Sequence, residues 1–142
     1  MPDLFSEIWM KEFSKLWNTD REMIHNLAGQ DFNAKIGYGF VDMPNPVGLL
    51  IVSHGKIEMA SSYKNQEVDW DLRASVEDWQ TWLDEGLGLA RLGFAVAHRK
   101  LQFKKGDYRK MLHTPQLAKA FLRSFELMTQ IETQFNNSTR SF

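Results

Sequence analysis

The sequence has no cysteine, which excludes a disulfide framework and thiolate metal sites and fits a reducing compartment. It has no apolar run approaching the ~20 residues a membrane span needs, so no integral membrane segment is expected. Neither sign of charge dominates: 17 Lys and Arg stand against 18 Asp and Glu, for a formal net charge of −1. No global field is available to draw in nucleic acid, and none is expected as a partner. The start, Met1-Pro2-Asp3, passes straight into an amphipathic pattern without the basic-then-apolar layout of a signal peptide. The last residues, Arg140-Ser141-Phe142, are not the peroxisomal Ser-Lys-Leu address. A cytoplasmic protein is the expectation.

Catalytic signatures are missing too. None of His25, His54, His98 and His113 pairs with another at i, i+4, so a metal site has no support in the sequence. No Gly-x-Ser-x-Gly elbow occurs. Gly86, Gly88 and Gly93 follow a helical pattern, where a dinucleotide fingerprint would need a strand. No cofactor is expected. Asp69 and Asp71 fall on the outer face of a predicted strand, where carboxylates are ordinarily solvated.

What is abundant is large and apolar: five Trp, ten Phe and seven Met in 142 residues. A chain of that length is expected to form a single domain over 1–142, with a polar, frayed tail from Asn136. Big rings can fill its core, and flexible Met and rings can also line an adaptable apolar site.

Phe5, Trp9, Phe13 and Trp17 recur every four residues, predicting a helix with Asp3 as its N-cap. Thr19 to Glu22 matches a capping box and starts a second, short helix ending near Gly29. Phe32 to Val41 alternates as a strand whose Gly37 and Gly39 mark a bend or a close backbone approach. Val47 to Val52 reads as a central strand covered on both sides, and 47–62 as a hairpin turning at His54-Gly55. Val68 to Leu72 alternates as a fourth strand. Ser75 opens a helix burying Val76, Trp79, Trp82 and Leu83, and Gly86 stops it. Thr114-Pro115 starts a long terminal helix predicted to run about twenty residues, to Phe135.

The stretch from Gly86 to Asp107 is the least ordinary. Leu87 to Ala97 is too apolar for a surface helix with one buried face, and Gly88 and Gly93 each cost helix stability of about 1 kcal/mol. Lys100 to Lys105 then alternates as a fifth strand, with Leu101 and Phe103 inward. Gly106-Asp107 caps a short helix containing Met111. The basic residues Arg99, Lys100, Lys104, Lys105, Arg109 and Lys110 form either a solvated rim or a patch that greets an anionic head group at the mouth of an apolar cavity.

The order of elements, together with Gly48-Leu-Leu-Ile-Val-Ser-His-Gly55, Val68-Asp-Trp-Asp-Leu72 and the Trp79–Trp82–Gly86 helix, resembles the sterol carrier protein 2 family of lipid-binding domains. The run Lys100-Leu101-Gln102-Phe103-Lys104-Lys105-Gly106-Asp107 is similar to that family's Gly-Lys-Leu-x-x-x-Gly-Asp. One departure stands out: His98-Arg99 precedes Lys-Leu where members usually carry a small residue. The resemblance implies an α/β (α+β) fold, a five-stranded curved mixed sheet covered by helices, with an apolar tunnel between them and a long C-terminal helix. It implies non-catalytic binding or transfer of a fatty acid, acyl-CoA, sterol or other hydrophobic small molecule. Trp79, Trp82, Leu83, Leu89, Phe94, Phe103, Met111, Phe121 and Phe125 are the expected lining, with Arg99, Lys104 and Lys105 near a head group.

Two other readings are open at this stage. One is a cone-shaped α+β enzyme of the ketosteroid isomerase or dehydratase type, with an Asp or His at the bottom of an apolar pit. The other is a non-catalytic interaction subunit whose apolar excess buries a partner, a homodimer included.

Overall fold

The computed structural model describes residues 1–135, so the expected tail from Asn136 lies outside the described residues. Five strands form one mixed sheet: β1 (Ala34–Phe40), β2 (Gly48–Ser53), β3 (Lys56–Ser62), β4 (Trp70–Ala74) and β5 (Gln102–Lys105), in the order β3-β2-β1-β4-β5. Antiparallel pairing joins β1 to β2, β2 to β3 and β4 to β5, while β1 and β4 run parallel. The middle strand is therefore β1, not the stretch from Val47 to Val52. Period-two alternation turns Ile36, Tyr38, Leu50 and Leu72 toward the helices, where they join one hydrophobic core.

Helix α1 (Glu7–Thr19) buries Trp9, Met10, Phe13 and Trp17. Its cap is Ser6, whose hydroxyl accepts from the Trp9 amide, and not Asp3. Asp3 instead bridges to Gln134, and Phe5 precedes the helix at a φ of 63°. That left-handed kink drives the Phe5 ring fully into the core, edge-on to Trp9 and Trp79. Thr19 does not cap α2 (Arg21–Leu27) either. Asp20 does, its carboxylate accepting from the Met23 amide at 2.9 Å and from the Arg123 guanidinium at 2.6 and 2.9 Å.

Loop 41–47 crosses the sheet face opposite the helices, and this explains the glycines of β1. A Cβ on Gly37 would lie 2.9 Å from Pro46 Cγ, and one on Gly39 would lie 3.0 Å from Pro46 Cα. Beneath the loop, Asp71 is not a solvated carboxylate. It is 8% exposed and accepts from Nε and Nη2 of Arg73, itself 1% exposed. Arg73 also donates to the carbonyls of Phe40, Met43 and Pro44, so the buried pair is fully hydrogen-bonded and fastens the loop to the sheet. Asp69 lies just before β4 and accepts from the Lys35 amide.

The remaining helices are α3 (Val76–Glu85), α4 (Leu89–Ala97), α5 (Tyr108–Leu112) and α6 (Pro115–Met128). The terminal helix is shorter than its apolar period suggests, 14 residues, or about 21 Å. The amides of Thr129, Gln130 and Ile131 turn back onto carbonyls three residues earlier, which tightens and ends it. The chain then returns along the N-terminus: Leu4 N–H donates to Gln134 O, Gln134 N–H to Pro2 O, and Trp9 Nε1–H to the Thr133 hydroxyl. Ile131 and Phe135, read as helical, belong to this return.

Candidate ligand-binding site

Between the sheet and the last two helices lies a cavity of about 50 Å³. Its floor is Ile36 and Tyr38 of β1 with Trp70 and Leu72 of β4, which alternation places on the helix face. Trp17, Leu27 and Phe32 close one side. The roof is Met111 of α5 and the stripe Leu117, Ala120, Phe121 and Ser124 of α6, residues three or four apart on one helix face. The volume is small: an apolar cavity of about 150 Å³ is what holds one benzene ring, so an alkyl chain needs the roof to yield. In that roof Met111 is an unbranched, many-rotamer side chain, and Phe121 is only half-buried.

Beside two indoles, the lining carries two hydroxyls. The Ser124 hydroxyl is occupied, donating to the Phe121 carbonyl. The Tyr38 hydroxyl has no hydrogen-bond partner among the described residues, and burial pushes its phenol far above the ordinary value. It would therefore enter any interaction as a neutral donor and acceptor.

A second space, an open groove of about 450 Å³, runs between the end of α4, β5 and α5. Val96, Leu101, Phe103 and Tyr108 make its apolar surface, and Arg99 and Lys104 flank it. Phe103 faces the groove and touches Phe121 across 5.9 Å, so a single pair of rings separates groove from cavity. Partial burial raises the Tyr108 phenol in the same wall.

The Gly106-Asp107 step shapes both spaces. At a φ of 108°, Gly106 passes so close to Trp70 that a Cβ there would lie 2.2 Å from the indole. Asp107 caps α5, its carboxylate accepting from the Lys110 amide at 2.9 Å. One residue lets the backbone press against the cavity floor, and the next starts the roof. The His98-Arg99 step is a helix terminus: Arg99 has a φ of 59°, and Lys100 and Leu101 donate back to the Ala95 carbonyl. Glycine is the ordinary residue for that left-handed position, so an arginine there carries a strain of about 1 kcal/mol.

The expected lining residues fall into separate groups. Met111 and Phe121 line the cavity, and Phe103 stands one ring away. Phe125 touches Phe121 but packs back against Trp79 and Trp82. Trp79 is fully buried in the core and donates Nε1–H to the Gly39 carbonyl, and Leu83 is buried beside it on α3. Leu89 and Phe94 point outward from α4, 62% and 54% exposed. Of the expected head-group cations, Arg99 and Lys104 share the groove, while Lys105 lies 4.0 Å from Glu67 outside it. Trp17, Tyr38, Trp70 and Leu117 line the cavity outside that expected set. Their strand alternation and helical period were visible, but not which part of the sheet lies under α6.

No family model matches the chain, and no curated protein matches it in sequence. Solved structures do match in shape. A crystal structure of sterol carrier protein 2 superposes with a TM-score of 0.71 at 19% identity, covering 92% of this chain and all of that one. A solution structure of a conserved hypothetical protein from Thermus thermophilus, described as possibly a sterol carrier protein, gives 0.70 at 18% identity over 93% and 92% of the two chains. UbiJ-SCP2, a ubiquinone synthesis protein, gives 0.55 at 10% identity over 87% and 90%. The chain therefore has the fold of sterol carrier protein 2.

Proposed function

We propose that the chain binds a lipid or similar hydrophobic small molecule and does no chemistry on it. The aliphatic part enters between the sheet and α5–α6, past Phe103, Met111 and Phe121. An anionic head, as on a fatty acid or acyl-CoA, stays in the groove by Arg99 and Lys104. The observation that carries this reading is the cavity itself: twelve lining side chains, ten of them without a polar atom other than an indole N–H, beside a basic groove. The likeness to sterol carrier protein 2 supports it. Each buried methylene contributes about 0.8 kcal/mol, so eight give about 6 kcal/mol before ordering costs, enough to select by length and apolarity.

An isomerase or dehydratase reading finds less support. Its carboxylate candidates, Asp69 and Asp71, lie away from the cavity, and Asp71 is tied to Arg73 across the sheet. Among the described residues no cluster of three or more His, Asp or Glu is placed to hold a metal ion.

Titration with a fluorescent fatty-acid analogue tests the proposal. Saturable binding is expected, weakened at least about tenfold by Ala120→Met, which fills the cavity. Thermal melts confirm that the variant still folds. Absence of saturable binding, or equal binding by a folded Ala120→Met variant, would overturn it.

A further inference from the structure

Helix α4 is apolar on both sides. At 100° per residue, Leu92, Ala95 and Val96 form its inner stripe, and only Leu92 and Ala95 are fully buried. The opposite arc of about 140°, from Leu89 through Gly93, Ala97 and Ala90 to Phe94, carries no charged or polar side chain. All five of those residues are exposed. A helix hydrophobic all round is ordinarily buried all round, so the outward face lacks the apolar medium its sequence suits.

The charge around it has one sign. From Gly86 to Lys110 the sequence holds seven Lys and Arg and one acidic residue, Asp107, a net of +6. With −1 for the whole chain, the remaining residues carry −7. All seven cations are exposed. Lys100 extends over the Phe94 ring, 5.6 Å from its centroid, on one flank of the helix. On the other, Arg99 and Lys104 stand beside Val96 in the groove. Arg91 is partly spent on Glu85, and Asp78 also faces the Phe94 flank, so the free positive charge gathers toward the C-terminal end of α4.

We infer that the outer face of α4, with the cations of the α4–β5 turn, is a docking surface for an anionic lipid bilayer. Nine residues span about 14 Å, so the helix lies flat in the interface, with Leu89 and Phe94 dipping among the acyl chains and Arg99, Lys100 and Lys104 at the phosphates. A bilayer fits better than an acidic peptide, because the uncharged arc is wide and flanked by cations on both sides, while the groove along its Phe94 flank, between α3 and α4, is lined by Asp78 and Glu85, which would repel acidic side chains. The surface does not depend on whether the cavity takes cargo, although it would bring the groove to the membrane.

Co-sedimentation of the full chain with phosphatidylcholine vesicles, with and without phosphatidylglycerol, tests the inference. Binding is expected only to the anionic vesicles, and it should fall as salt is added. Leu89→Ser with Phe94→Ser should reduce it at least about tenfold, and Lys100→Gln by a smaller factor. The double variant should keep the melting temperature and the fatty-acid affinity of the parent, which separates this surface from the cavity. The inference is overturned if the parent ignores anionic vesicles or if the double variant binds them equally well. It is also overturned if the parent runs as a dimer that Phe94→Ser converts to a monomer, since the face would then be a seam between copies. Retention by an acidic peptide with no affinity for vesicles would overturn it in favour of a protein partner.

Discussion

Helix α3 hides Val76, Trp79, Trp82 and Leu83 and turns Glu77, Thr81, Asp84 and Glu85 to water, whereas α4, next in the chain, hides Leu92 and Ala95 and turns Leu89 and Phe94 outward. The two differ at their ends as well. Ser75 caps α3, with its hydroxyl accepting from the Asp78 amide, but Gly88 starts α4 with no side-chain cap. The lesson is that apolar content does not measure anchoring. The aromatic residues of α3 hold the sheet and α6 together, while the one aromatic residue of α4, Phe94, meets solvent and a concentration of positive charge.

The largest expected effect breaks this comparison directly. Trp79→Ala should cost about 3–5 kcal/mol in urea unfolding, because it empties the space between Phe5 and Phe125 and removes the indole hydrogen bond to the Gly39 carbonyl. Phe94→Ala should stay within about 0.5 kcal/mol of the parent, as for a surface substitution. Similar losses for both would mean that α4 is as firmly packed as α3.

A smaller effect compares the ion pairs near the two regions. Asp20 and Arg123 tie the start of α2 to α6 through side chains only 13% and 20% exposed, and Asp20→Asn should cost about 1–2 kcal/mol. Arg91–Glu85, beside α4, is half-exposed on both sides, and Glu85→Gln should change little. The clamp also sets a pH dependence. The Arg123 guanidinium, with the Met23 amide, holds the Asp20 carboxyl below its ordinary value of 3.8. A depressed folded pKa adds stability that is complete above the unfolded value and disappears as pH falls through the folded one. Stability should therefore drop below about pH 4 in the parent, and Asp20→Asn should remove that part of the slope. Equal acid sensitivity in both proteins would place the effect elsewhere.

Much of the fold is legible in the sequence because period and punctuation agree over long stretches. The α1 stripe, the alternation of β1, the His54-Gly55 turn and the Thr114-Pro115 start all lie where local pattern places them. What escapes is set by contacts distant in sequence. Phe5 continues the i, i+4 stripe yet sits on a kink before the helix, because the return of Gln134 fixes Pro2 to Leu4. Asp71 alternates outward like a solvated residue, but loop 41–47 folds over it. At the site, hydrophobicity points to Met111 and Phe121 together with Leu89 and Phe94, since a cavity wall and an exposed apolar face use the same side chains. Tyr38 reads as inward, but that its hydroxyl sits by the cavity depends on where α6 crosses the sheet.

The central claim is that the space between the sheet and α5–α6 opens to hold an aliphatic cargo. Native mass spectrometry of the protein as purified from cells tests it most directly. The account predicts a population heavier by one lipid-sized molecule, lost in the Ala120→Met variant. A uniformly empty protein that also fails to take up fatty acid, acyl-CoA or sterol would contradict it.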